Sequence, residues 1–82
     1  MMTDRLYKIV GQVLGVSAET IHLDDAPETQ PKWDSLAHIT LMLALESEYD
    51  VTFTLEDMAT MVSIRSVCDI LARKGIEIEI PD

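Results

Sequence analysis

Trp33-Asp34-Ser35-Leu36, continued by Ala37-His38-Ile39-Thr40-Leu41-Met42-Leu43-Ala44-Leu45, is where a long polar segment gives way to an apolar helical one. The junction puts Ser35 in the first turn of a helix. Backbone N–H groups of a first turn have no intrahelical partner, and the helix dipole adds positive potential there. A serine so placed is a favourable seat for a phosphate. Leu36, Ile39 and Leu43 mark one helical face, and Leu41, Met42 and Leu45 widen it. This predicts a helix over 35–49 that touches more than one neighbour. Glu46, Glu48 and Asp50 close it with negative charge. That is the wrong sign for a helix C-terminus, so the placement serves a partner or is tolerated at a screened surface rather than stabilising the helix locally.

Working outward, Leu6, Ile9, Val10, Val13 and Leu14 follow one helical face and predict a helix over 4–14. Thr3 suits its cap, Asp4 its first turn and Gly15 its stop. Gly11 inside it costs up to about 1 kcal/mol relative to alanine, which a close helix crossing would explain. Residues 16–34 carry the turn chemistry: Asp24, Asp25, Pro27, Thr29 and Pro31. A loop this long needs packing or a function. Val16, Ile21 and Leu23 are placed to pin its first half, Ala18–Ile21 to make one helical turn, and Trp33 to anchor its far end. Beyond the 35–49 helix, Val51-Thr52-Phe53 reads as an extended connector. Thr54 caps a short helix over 55–60, with Asp57 at the capping-box position. Ser63 caps a last helix over 64–74, closed by Arg73, Lys74 and Gly75. The tail IEIEIPD alternates like a strand but has no partner strand in the chain.

The chain of 82 residues reads as one domain, with a helical core over 4–74 and a tail over 75–82. A domain this small buries only about 60% of its unfolded surface, so a deep catalytic cleft is hard to build. That argues for a binding or carrier module and against an enzyme. The single cysteine, Cys68, excludes an internal disulfide and a cysteine-rich zinc site. It fits a reducing, cytoplasmic setting, and no signal peptide or membrane-crossing run is evident. A net charge of -9 argues against nucleic acid and anionic membranes, and favours basic protein surfaces as partners. Plain solubility is the simpler reading of the same charge.

Asp34-Ser35-Leu36, the run Leu41 to Tyr49 and the opening Val13-Leu14-Gly15-Val16 together resemble the acyl carrier proteins and the related peptidyl carrier domains. The resemblance spans roughly residues 4 to 74. It implies an all-α, small four-helix bundle with three longer helices, one short helix and a long first loop. It also implies that Ser35 receives a 4'-phosphopantetheine arm from coenzyme A, placed by a phosphopantetheinyl transferase. The arm would hold an acyl or aminoacyl group as a thioester, loaded by a ligase or transferase and passed to downstream biosynthetic enzymes. In that family the second helix is the main recognition surface. The resemblance therefore makes Asp34, Leu36, Ile39, Thr40, Glu46 and Glu48 candidate partner contacts, on a chain expected to be a monomer and a carrier rather than an enzyme. Many fatty-acid carriers have acidic residues where this chain has Ala37 and Thr40, and a small pair where it has Trp33. That departure resembles stand-alone carriers of polyketide, nonribosomal-peptide or other specialised pathways, with fatty-acid synthesis as the alternative.

Simpler readings compete at several residues. Ser35 alone is a good helix cap. Ser35, His38 and Asp34 superficially compose a nucleophile, base and orienter, but nothing indicates an oxyanion hole. His38 is expected to be exposed at the docking face, and His22 to lie on a surface loop. Asp24, Asp25 and Glu28 lack the ligand order of a calcium loop, so no metal site is expected. Cys68 reads as a buried core thiol. Met42, Met58 and Met61 read as core before they read as an acyl-chain pocket. The main functional alternative is a non-covalent acidic adaptor with a carrier-like fold, which would not need the Ser35 hydroxyl.

Overall fold

Four α-helices and one 3-10 turn follow each other in the order α1 (Met2–Leu14), the turn Ala18–Thr20, α2 (Ser35–Tyr49), α3 (Leu55–Thr60) and α4 (Ile64–Arg73). The computed structural model describes residues 2–76, and the tail beyond Ile76, with its strand-like alternation, lies outside them. The expected all-α four-helix bundle is what the described residues form. Its core is built from Leu6, Val10 and Leu14 of α1, Leu41, Met42, Leu45 and Tyr49 of α2, and Ile64, Val67, Cys68, Ile70 and Leu71 of α4, all buried. Ile21, Leu23, Trp33, Phe53 and Met61 close it from the connections. α1 and α4 bury the stripes that their sequence periodicity marks out. α2 does not, because it is apolar around most of its circumference.

Local chemistry sets the boundaries. α1 begins at Met2, so Thr3 lies inside it and does not cap it. Its end turns at Gly15, with φ 73°, where the Gly15 and Val16 N–H groups both donate to the Gly11 carbonyl. Gly11 itself answers to this return of the chain and not to a helix crossing. A Cβ there would stand 2.7 Å from the Val16 carbonyl oxygen and 3.2 Å from the Ala18 nitrogen. Ser17, Thr54 and Ser63 cap the 3-10 turn, α3 and α4. Thr54 and Asp57 complete a reciprocal capping box at 3.0 Å in each direction. α4 stops at Gly75, φ 91°, with the Ile76 N–H returning to the Leu71 carbonyl at 3.0 Å.

The long first loop is packed down rather than free. The first N–H groups of α4 need acceptors from outside the helix, and the loop supplies two. Ile64 donates to the Asp25 carbonyl at 3.0 Å and Arg65 to the Leu23 carbonyl at 2.9 Å. Asp24 pairs with Arg65 at 3.3 Å, and the Asp25 carboxylate accepts the His22 N–H at 2.9 Å. These acids hold the loop, and among the described residues no cluster of histidine, cysteine and carboxylates is disposed to hold a metal. Also among the described residues, no helix is long and apolar enough to cross a membrane.

Candidate functional site

Ser35 is the first residue of α2. Asp34 before it is extended, with φ -93° and ψ -174°, and its carboxylate accepts the Ala37 N–H at 2.8 Å. Asp34 is therefore the N-cap, and Ser35 is relieved of that role. The Ser35 side chain is exposed, and its hydroxyl makes no hydrogen bond to a described residue. An unengaged hydroxyl thus sits at the positive end of a four-turn helix of 15 residues.

Trp33 fixes the approach to this position. It is 2% exposed, wedged into the core as its composition suggests. Its backbone N–H donates to the Gln30 carbonyl at 2.9 Å. Its indole N–H donates to His38 Nδ1 at 3.0 Å, and His38 Nε2 lies 3.0 Å from the Met58 carbonyl oxygen. A ring nitrogen that accepts from an indole carries no proton. The proton is then on Nε2, which donates to Met58: the neutral imidazole in one defined tautomer. His38 is half-buried, and the expectation that it stands free at a docking face is corrected. It is drawn in by two hydrogen bonds, one from the buried Trp33 indole and one to the Met58 carbonyl.

The same contacts dispose of a hydrolytic triad. Both His38 nitrogens are engaged by Trp33 and Met58, and the Asp34 carboxylate is engaged by Ala37. Among the described residues, no base is hydrogen-bonded to the Ser35 hydroxyl.

Beside Ser35 an open groove of about 620 Å³ runs between the start of α2, α3 and the Pro27-Glu28 segment. Ser35, His38, Ile39, Met58, Met61 and Val62 line it. Of Met42, Met58 and Met61, Met42 is buried away from the groove, Met61 is buried in the core where it meets the groove floor, and Met58 is half-buried at its wall. Val62 and Ala59 both line the groove, and no sequence pattern marks them out. Their position depends on where α3 sits, and no local pattern encodes that.

Leu36, Ile39 and Leu43 are 74%, 56% and 58% exposed and form a bare apolar stripe leading away from Ser35. Thr40 is exposed beside it, its hydroxyl turned back to the Leu36 carbonyl at 2.9 Å. The acidic end of α2 is different. The Glu46 carboxylate accepts the Phe53 N–H at 2.7 Å and so fastens the 51–53 connector. Glu48 is held by the Arg5 guanidinium, which also lies over the Tyr49 ring. Both glutamates thus make intramolecular contacts, while the Glu48 side chain stays 39% exposed. Hydrogen bonds across the bundle compensate for charge that is unfavourable to the helix dipole.

Elsewhere, burial pushes the Cys68 thiol up to about 11, and Asp69 adds to the shift, so it is a closed-in core thiol. Asp57 is held below the usual carboxylate range, first by its hydrogen bond from Lys74 at 2.9 Å and then by the Thr54 N–H.

A family model described as the phosphopantetheine attachment site matches residues 4–71. The chain belongs to that family. It is also similar to the solution NMR structure of a holo acyl carrier protein from Geobacter metallireducens, with 25% sequence identity, 98% of each chain covered and a TM-score of 0.76. The bundle is of the acyl carrier type, and the family's prosthetic group is 4'-phosphopantetheine. The start of α2 fits such a group, offering an exposed, unengaged hydroxyl and a helix N-terminus for the phosphate. Asp34 and Glu28 at the same mouth oppose added negative charge, and the helix terminus acts in the opposite sense.

Proposed function

We propose that Ser35 is the attachment residue, and that the chain carries an acyl or aminoacyl group between enzymes of a specialised biosynthetic pathway. The observation that carries this reading is the division of labour at the helix start. Asp34 supplies the cap, which leaves the Ser35 hydroxyl exposed and without a partner. When bound, the 4'-phosphopantetheine arm supplies a terminal thiol that holds the cargo as a thioester. Ser35 would contribute the ester oxygen, and the first N–H groups of α2 would stabilise the phosphate beside the groove. Tethering replaces a search through solution with a high local concentration at each docked enzyme.

The partners of this reading are a phosphopantetheinyl transferase, a loading ligase or transferase, and downstream enzymes. Leu36, Ile39 and Leu43 present an apolar and uncharged surface beside Ser35, and Ala37 and Thr40 add no acid to it. With Glu46 and Glu48 engaged internally, docking on α2 rests on apolar contact more than on a basic partner surface. The same lack of acids, with Trp33, supports a specialised pathway over fatty-acid synthesis.

Intact mass after incubation with coenzyme A, magnesium and a broad-specificity phosphopantetheinyl transferase tests the proposal. A gain of one phosphopantetheine on the wild type and none on Ser35→Ala is expected. Modification of Ser35→Ala would move the attachment elsewhere. A pathway that still runs in cells on Ser35→Ala would favour a non-covalent adaptor.

A further inference from the structure

The groove beside Ser35 has one wall on α2 and another on α3, and few contacts hold the two walls together. α3 spans only Leu55–Thr60. Asp57 ties it to Lys74 at the end of α4, 2.9 Å away. Its hydrogen-bonded tie to α2 is His38 Nε2 to the Met58 carbonyl. That imidazole is in turn oriented by the buried Trp33 indole, 3.0 Å from Nδ1, with the two rings 6.0 Å apart and 27° from parallel.

We infer that His38 is a positioning residue: as a neutral imidazole bridging Trp33 and α3, it sets the width of the groove beside Ser35, and its protonation releases α3. The groove's relevance to a tethered arm rests on the Ser35 reading; the bridge itself does not.

The physical argument is one of donors and acceptors. The bridge needs an acceptor at Nδ1 and a donor at Nε2, which only the neutral Nε2–H tautomer provides. Imidazolium has N–H groups at both positions. Protonation therefore sets the Nδ1–H against the indole N–H, and that bond cannot form. Trp33 is locked in the core, so the imidazole is the ring that turns, and turning takes Nε2 away from Met58. Among the described residues, the ionisable groups that line the groove with His38 are Glu28 from the loop and Asp34 at the α2 cap; Asp57 of α3 lines a separate cleft and is paired with Lys74. Glu28 and Asp34 attract an imidazolium, as does the Trp33 ring face. None of them restores the lost acceptor at Nδ1. No lysine or arginine lines the groove.

The chain makes this readable, because Trp33 is its sole tryptophan. The experiment follows the Trp33 indole N–H and the α3 amides by 15N NMR on the unmodified protein between about pH 8 and about pH 5. His38→Gln and His38→Phe are measured alongside. Glutamine retains one acceptor and one donor but does not titrate, whereas phenylalanine has neither. In the wild type, the indole N–H is expected to move away from its hydrogen-bonded shift as pH falls. Exchange of the Met58–Met61 amides should rise about fivefold, the ratio set by one hydrogen bond of ordinary net worth. His38→Gln should keep the bonded shift at every pH, and His38→Phe should lack it at every pH. An indole signal that is indifferent to pH in the wild type, or equally responsive in His38→Gln, overturns the inference. Unchanged α3 exchange while the indole moves also overturns it. Because no phosphopantetheine is involved, failure here is distinct from failure of Ser35 as the attachment residue.

Discussion

The inner and outer faces of α2 have nearly the same chemistry and opposite fates. Leu41, Met42 and Leu45 are wholly buried, whereas Leu36, Ile39 and Leu43 are more than half exposed. Burial of a leucine is worth roughly 1.5–3 kcal/mol, so an exposed leucine forgoes that stabilisation unless something else covers it. The inner face is committed to the fold. The outer face runs from Ser35 and leaves its apolar area available to a docking protein. The two ends of the helix differ in the same way. Asp34 at the start serves the helix and frees its neighbour, while Glu46 and Glu48 at the end are drawn in to fasten a connector and α1.

Substitutions test this contrast. Leu45→Ala should lower the unfolding free energy by about 2–5 kcal/mol, measured by urea denaturation, because it opens a cavity at the centre of the bundle. If Leu43→Ala did the same, the outer face would be packed and the comparison would fail. Glu46→Ala should cost about 1–3 kcal/mol by leaving the part-buried Phe53 N–H without an acceptor. A cost near zero, with a marked loss of partner binding, would return Glu46 to the docking surface. Ile39→Ala and Leu43→Ala should change stability by no more than about 0.5 kcal/mol. The same changes should reduce kcat/KM of the phosphopantetheinyl transferase, with little dependence on salt. A steep loss of kcat/KM with added salt would show that charge, not apolar contact, governs docking.

Acidity bears on a different joint of the molecule. The Asp57 carboxyl is held below its usual range, so its link to Lys74 contributes stability above that range. The contribution is lost as pH falls through the lowered value.

Much of this molecule is local and therefore legible in the chain. The α2, α3 and α4 boundaries follow from Asp34, Thr54, Ser63 and Gly75, because capping and left-handed turns involve residues only a few positions apart. The exposed Ser35 follows from the same rule: an aspartate that takes the cap frees the serine after it. What the residues alone did not decide was which face of α2 turns inward, since a helix that is apolar on both sides offers no periodicity to choose between them. Nor did they decide that Gly11 answers to the chain's return, that Glu46 reaches Phe53, or that His38 reaches a carbonyl twenty positions away on α3. Those outcomes depend on where separate helices come to rest, and that is set by the shared burial of the whole core rather than by any stretch of it.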